Sequence, residues 1–260
     1  MLEPIYLLFT ITDTEGNVVR KLTAKPSAGI NRIAWDLRYT SPMPVSVKDK
    51  FDPFKKAGSS LMVLPGKYKV SMALVNNGTY TELVNPQEFT VKALNNTTLP
   101  AADRKALVAF QKKVAERARQ VRGAMSFAND LWKKTTVIKQ TILSTPGADK
   151  NMMEEIRQIQ KDLDELIFAF RGLTPKASYE EIPPHKPAIN RRLNYLMYAH
   201  YSSTAEITQT EREQLAIIEE EVPVLIEKLK SLATKDVPAL EKQLEAIGAP
   251  WTPDRLPEWK

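Results

Sequence analysis

PGKYKVSMALVNNGTYTELVNPQEFTV, residues 65–91, decides the fold of the first part of this chain. Tyr68, Val70, Met72 and Leu74 recur at every second position, the period of a β-strand with one buried face. Asn77-Gly78 follows. Both residues tolerate positive φ, so the pair suits a type I′ turn and predicts a hairpin. Tyr80–Val84 returns as the partner strand, and Glu88–Val91 reads as one more. Pro65-Gly66 marks where the first of them opens.

The same period extends upstream. In GINRIAWDLRY, residues 29–39, Asn31, Ile33, Trp35 and Leu37 fall on one side and Arg32, Ala34, Asp36 and Arg38 on the other. The spacing predicts a strand that carries Trp35 into the core. Leu7, Phe9 and Ile11 alternate in a first strand. Asp13–Asn17 is a turn with Gly16 free to take positive φ, and residues 18–22 return. Six or seven short strands separated by Gly and Pro predict an antiparallel sandwich of the Ig or fibronectin III kind over residues 1–97. Residues 40–64, TSPMPVSVKDKFDPFKKAGSSLMVL, interrupt it with three prolines. Two readings stay open: a surface loop or extra edge strand, and an interface loop presenting Phe51 and Phe54.

From Thr98 the period changes to that of a helix. Leu107, Phe110, Val114, Ala118, Val121, Met125, Ala128, Trp132, Thr135 and Ile138 step by threes and fours, predicting a helix over about 100–144. Met152, Ile156, Ile159, Leu163, Leu166 and Phe170 mark a second helix. Its expected cap is Asn151, three before Glu154, and its expected stop is Gly172. Beyond the proline-rich crossing 173–187, Pro187 is a first-turn candidate for a helix burying Ile189, Leu193, Leu196 and His200. Thr210 and Glu213 predict a capping box for a helix along Leu215, Ile218, Val222, Leu225, Leu229 and Leu232, kinked at Pro223. Asp236 is the expected cap of a last helix with Leu240, Leu244 and Ile247. Narrow stripes on helices joined by turns predict a four-helix up-down bundle over 98–260, ending in a Pro/Trp-rich tail. The whole is an α+β chain in two parts.

The chain has 260 residues, 43% of them hydrophobic, which suffices for a core without cross-links. Net charge is +6, spread as 12 Lys/Arg against 8 Asp/Glu in residues 1–99 and 25 against 23 beyond. That spread argues against nucleic-acid binding. Cysteine is absent, which excludes disulfides, thiolate catalysis and Cys-type zinc sites. No apolar run reaches a membrane span. The N-terminus has neither the basic region nor the cleavage site of a signal peptide, and reads as a strand entered abruptly in a chain cut from a longer one.

Few residues in the sequence carry a recognisable chemistry. His185 sits in the proline-rich crossing. His200 lies on an apolar stripe, where a histidine is ordinarily a hydrogen-bonded core residue. Glu219–Glu221 and Glu180-Glu181 are consecutive, so neighbours diverge. No phosphate loop, G-x-S-x-G or H-E-x-x-H motif is present. We expect no catalytic residue, cofactor or metal. Candidate contact residues are Tyr39, Phe51, Phe54, His185, Trp251 and Trp259. The last two, in APWTPDRLPEWK, either pin the tail to the body or meet a partner.

DTEGNVVRKL, AGINRIAWDLRY and LPGKYKVSMAL, in that order, resemble a C-terminal module of exported bacterial sortilin-type or BNR-repeat β-propeller proteins of the glycosyl hydrolase kind. The sandwich is also similar to the Ig-like module of flagellar hook-capping proteins. The resemblance implies an extracytoplasmic accessory module whose partners are propellers upstream, with their signal peptide. It transfers no catalytic residue, and it makes Gly16, Trp35, Pro65-Gly66 and Tyr68 scaffold. Asp36 and Arg38 share a face and are expected to pair. Alternatives are a carbohydrate-binding module built on Tyr39, Tyr80 or the tail tryptophans, and a hydrolase with an unrecognised site.

Overall fold

The structure is a computed structural model that describes residues 3–46, 48–94, 99–175, 177–257 and 259. It is α+β: a four-stranded antiparallel sheet, a two-stranded sheet, then helices. Two compact units emerge, Met1–Ala118 with Leu196–Gln209, and Arg119–Tyr195 with Thr210–Lys260. The boundary expected at 97/98 involves residues 95–98, which lie outside the described residues.

In the first unit β1 (Tyr6–Thr12), β2 (Val18–Ala24), β5 (Gly66–Asn76) and β6 (Thr79–Val91) form a sheet in the order β2-β1-β5-β6. β3 (Arg38–Thr40) and β4 (Ser59–Met62) make the second sheet. Asn77 (φ 47°) and Gly78 (φ 77°) both occupy the left-handed region, as a type I′ turn requires. The two strands expected after this turn are one strand, β6. Gln87 pairs with Val70 and Val84 with Met72, so Asn85 and Pro86 stand opposite Ser71 alone. This bulge absorbs the proline, whose missing N–H is tolerated at a sheet edge.

Residues 29–37 are not a strand, contrary to expectation; extended pairing begins at Arg38. Ile30 is 99% exposed, and Leu37 turns the chain with φ 58°. The cause is local. Trp35 Nε1 donates to the Arg38 carbonyl at 3.1 Å, and the Asp36 carboxylate accepts from the Arg38 backbone N–H at 3.2 Å. Side chains that bond nearby backbone in this way compete with a ladder. Trp35 still reaches the core, edge-on to Tyr68 (5.6 Å) and Phe89 (6.0 Å), beside Ile11, Val19 and Val63. The expected Asp36–Arg38 side-chain pair does not form. The Arg38 guanidinium instead donates to Ser60 O at 3.0 Å and Tyr201 O at 2.5 Å, stacked 4.1 Å over the Tyr201 ring.

The helices are α1 (Arg104–Ser144), α2 (Lys150–Arg171), α3 (Ile189–Ser202), α4 (Gln209–Ser231) and α5 (Val237–Ala246). The apolar stripes read from sequence are the buried ones, except at Ile247, which stands just past the end of α5 and is exposed. In the second unit Ala128, Ile138, Ile156, Leu163, Leu166, Leu229, Leu240 and Leu244 share one core. Several caps differ from expectation. Asp149, not Asn151, caps α2 by accepting from Met152 N at 3.0 Å; Asn151 already lies within the helix. Gly172 (φ 75°) stops it, its N–H on Phe168 O at 2.7 Å. Arg192 N reaches back to Ala188 O at 3.2 Å, which leaves Pro187 ahead of the cap rather than in the first turn of α3. α4 starts at Gln209, so Thr210 is already helical and cannot be the cap of a box with Glu213.

Asp236 is not a cap either. It is helical (φ −71°, ψ −51°) and makes no side-chain cap bond. α4 continues into α5 through a π-turn, Leu232–Asp236, in which Val237 N–H reaches Leu232 O five residues back. Pro238 follows directly. It has no N–H for the Thr234 carbonyl, and its ring crowds that carbonyl in a regular turn. The wider turn gives the ring room, a known use of single π-bulges.

Candidate functional site

Among the described residues β2 is an edge strand that pairs only with β1. Against its other edge runs a trough of about 750 Å³. Five consecutive β2 residues, Arg20–Ala24, line it. Side chains alternate faces along a strand, so a run of five shares one cleft only where the cleft follows the strand's edge. Residues 32–36 and 53–57 form the opposite wall.

Arg20 builds this arrangement. Its side chain is buried, with the residue 5% exposed. Nη1 donates to Gly58 O at 2.8 Å and Tyr39 O at 3.2 Å, and Nη2 to Ala57 O at 2.8 Å; among the described residues Nε has no hydrogen-bond partner. The Thr23 hydroxyl donates to the Pro53 carbonyl. All partners of the guanidinium are neutral carbonyls, so its charge stays uncompensated in a site of low dielectric. Lys21, Arg32, Lys55 and Lys56 add four exposed cations along the trough. Lys55 pairs with Asp49 at 3.1 Å, while no ion pair among the described residues engages Lys21, Arg32 or Lys56. Among the described residues the one carboxylate on the lining, Asp36, is occupied by the Arg38 N–H and the Ser59 hydroxyl. The trough therefore presents positive potential over half-buried Trp35 and Phe54.

The sequence candidates are scattered. Phe54 lines the trough, with Lys25 Nζ 5.1 Å from its ring centroid. Tyr39 contributes its carbonyl to Arg20, and its ring packs on the sheet core under Lys112 Nζ at 5.2 Å. Phe51 is 65% exposed. In the second unit exposed His185 sits in a cleft with Arg171 and Arg191, its Nδ1 3.0 Å from the Pro183 carbonyl. His200 is buried as expected, edge-on to Phe110 at 5.3 Å and with Nδ1 3.5 Å from Gln111 Nε2.

Trp251 (45%) and Trp259 (101%) are exposed, so the tail is not pinned by its tryptophans. Polar groups hold it. The Thr252 hydroxyl donates to Glu241 Oε1 at 2.5 Å, and Arg255 grips Glu245 through Nε (2.6 Å) and Nη2 (2.7 Å). Lys134 Nζ meets buried Glu241 at 3.0 Å.

Of the sequence candidates, Phe54 lines the trough; Arg20 and the cations around it are not among those candidates. Their one signal was a run of Lys/Arg at 20–25, 32 and 55–56, spread over segments that only the fold brings together. Among the described residues no group of three or more His, Asp or Glu is placed to hold a metal ion, and no helix is long and apolar enough to cross a membrane. No protein-family model matches the chain, and neither curated proteins nor solved structures give a significant match.

Proposed function

We propose that this chain is a non-catalytic accessory and interaction module that docks onto a polypeptide partner. The observation that carries the reading is the unpaired edge of β2 inside a basic trough: a surface able to bind, with its only carboxylate already engaged. The motif resemblance supplies the context, an exported β-propeller protein whose propellers are the partner, and hence an extracytoplasmic location. The finer architecture belongs to the same proposal. The sheets β2-β1-β5-β6 and β3-β4 share one core around Tyr68 and Val63, as two layers of an Ig or fibronectin III-like sandwich would. The helices of the second unit share another, as an up-down four-helix bundle would.

Light scattering on the chain, alone and mixed with the propeller region of its parent protein, tests this. A complex in the micromolar range supports it; a chain that stays separate from the propellers overturns it. A second reading, a carbohydrate-binding module, draws on the exposure of Tyr80, Trp251 and Trp259. Quenching of tryptophan emission by a glycan would favour it, and a silent glycan array would remove it.

A further inference from the structure

We infer that the β2 trough takes an extended acidic polypeptide segment, which adds to the sheet as a strand beside β2. This rests on the interaction reading above and names its partner's chemistry. Three observations combine. First, β2 leaves one edge without a backbone partner among the described residues. Unpaired N–H and C=O groups in a row are a template for another strand, and proteins usually blunt such edges. The opposite edge of this sheet, β6, is blunted in that way by Pro86 and its bulge. β2 has no proline, and its one bulge, at Val19, lies beyond Arg20; over Thr23–Arg20 its register with β1 is continuous.

Second, the trough is a channel rather than a flat rim. Its far wall, residues 32–36 and 53–57, is fixed at one end by the Arg20 guanidinium on Ala57 O and Gly58 O and at the other by Thr23 on Pro53 O. Thr23 and Arg20 are three residues apart, so about four ligand residues are spanned at roughly 3.3 Å each. Third, five cationic side chains and one committed carboxylate line it. Charge complementarity selects aspartate- or glutamate-bearing segments and speeds encounter. Trp35, Ile33 and Phe54 give intervening apolar side chains a place to rest. A sulfated glycan or a nucleic acid would answer the charge but would leave the strand edge unused. β-Strand addition uses both, taking affinity from main-chain hydrogen bonds and specificity from alternate side chains.

The test uses the whole chain and a fluorescein-labelled peptide of about eight residues alternating glutamate and valine, long enough to cover β2. Fluorescence anisotropy should report saturable binding that weakens with salt. The Lys21→Glu/Lys56→Glu variant should bind at least about tenfold more weakly. Lys161→Glu/Lys242→Glu, the same charge change on exposed residues of the other unit, should bind like the parent chain. The same peptide N-methylated at alternate residues, which cannot pair as a strand, should fail to bind.

No binding of the glutamate–valine peptide overturns the inference. So does equal loss in both charge variants, or equal binding of the N-methylated peptide. Heparin or oligothymidylate competing more strongly than the peptide, with the same dependence on Lys21 and Lys56, overturns it in favour of a glycan or nucleic acid. The propeller mixture separates the two proposals. Association with the propellers but no peptide binding sinks only the strand addition; peptide binding without propeller association sinks only the accessory role.

Discussion

Arg20→Met tests the buried guanidinium that organises the first unit. Methionine keeps most of the apolar stem's packing and removes three charge-assisted hydrogen bonds, to the carbonyls of Tyr39, Ala57 and Gly58. Bonds to charged groups contribute about 1.5 kcal/mol each at the low end. Ala57 and Gly58 are exposed residues, so their carbonyls recover water at about 1 kcal/mol apiece. Removal of an unpartnered buried Nε returns a further part. The net loss should be about 2 kcal/mol, read as a lower urea midpoint at unchanged slope. Near-UV circular dichroism follows it, because Trp35, Tyr68 and Phe89 are packed together beside this site. Local exchange should change with it. The Ser41 N–H, bonded to Gly58 O at 2.9 Å, and the amides of β4 should lose protection first. Arg20→Lys keeps the charge but not the planar fork, and should recover less than half of the loss. A change below about 0.5 kcal/mol for Arg20→Met, or unaltered exchange at Ser41, would refute this account of how the trough is built.

Glu241→Ala strands Lys134 and Thr252 in a buried cluster and should cost about 3 kcal/mol by helix circular dichroism in urea; a Lys134→Met background should shrink that cost, and additive effects would count against the pairing. Burial, then the nearby Tyr39 and Asp13, push the Tyr68 hydroxyl up to about 12. Its folded pKa lies above the unfolded value, so this stabilisation is complete below about pH 10 and is lost as pH rises through about 12. Absorbance at 295 nm should show a late tyrosinate step that Tyr68→Phe abolishes, together with about 1 kcal/mol of stability from its bond to Leu64 O. At Asp13 slight burial acts to raise the carboxyl, but hydrogen bonds from the Asn17 side chain, Asn17 N–H and Glu15 N–H outweigh it and hold the pKa below the usual range. The β1–β2 turn should therefore be fully braced above about pH 4 and loosen as pH falls through the depressed value, an effect absent in Asp13→Asn and readable from the Asn17 amide resonance. Pro238→Ala supplies the missing N–H; it should let the Leu232–Asp236 turn tighten toward regular helix, with altered amide exchange at Val237, and no change there would mean that the π-turn has another cause.

Where sequence reading succeeded, short-range rules decide the structure. Asn77-Gly78 makes its turn because both residues accept positive φ at little cost. The stripes of α2 and α4 are buried because their 3.6-residue period admits one apolar face. It erred where two local rules competed. Residues 29–37 alternate like a strand, yet Trp35 and Asp36 bond the backbone at Arg38 and turn the chain first. Pro86 reads as a strand break, yet at an edge it costs one bulge. Caps moved by one or two residues because Asp149 stands nearer the true helix start than Asn151 does. The tail's tryptophans suggested apolar pinning, while Thr252 and Arg255 do the holding through Glu241 and Glu245.

The α+β character, the hairpin at Asn77-Gly78 and the buried stripes of the helices follow from residue order alone, since each depends on neighbours within a turn or a strand. Residue order also places Phe54 among the candidates. The trough exists only once the chain has folded. Arg20 meets its carbonyl partners across 19, 37 and 38 residues of chain, and Lys21, Arg32 and Lys56 become one field only when three segments converge on the β2 edge. Charge and hydrogen bonding act through space, and distances of that kind are not written in any local pattern of residues.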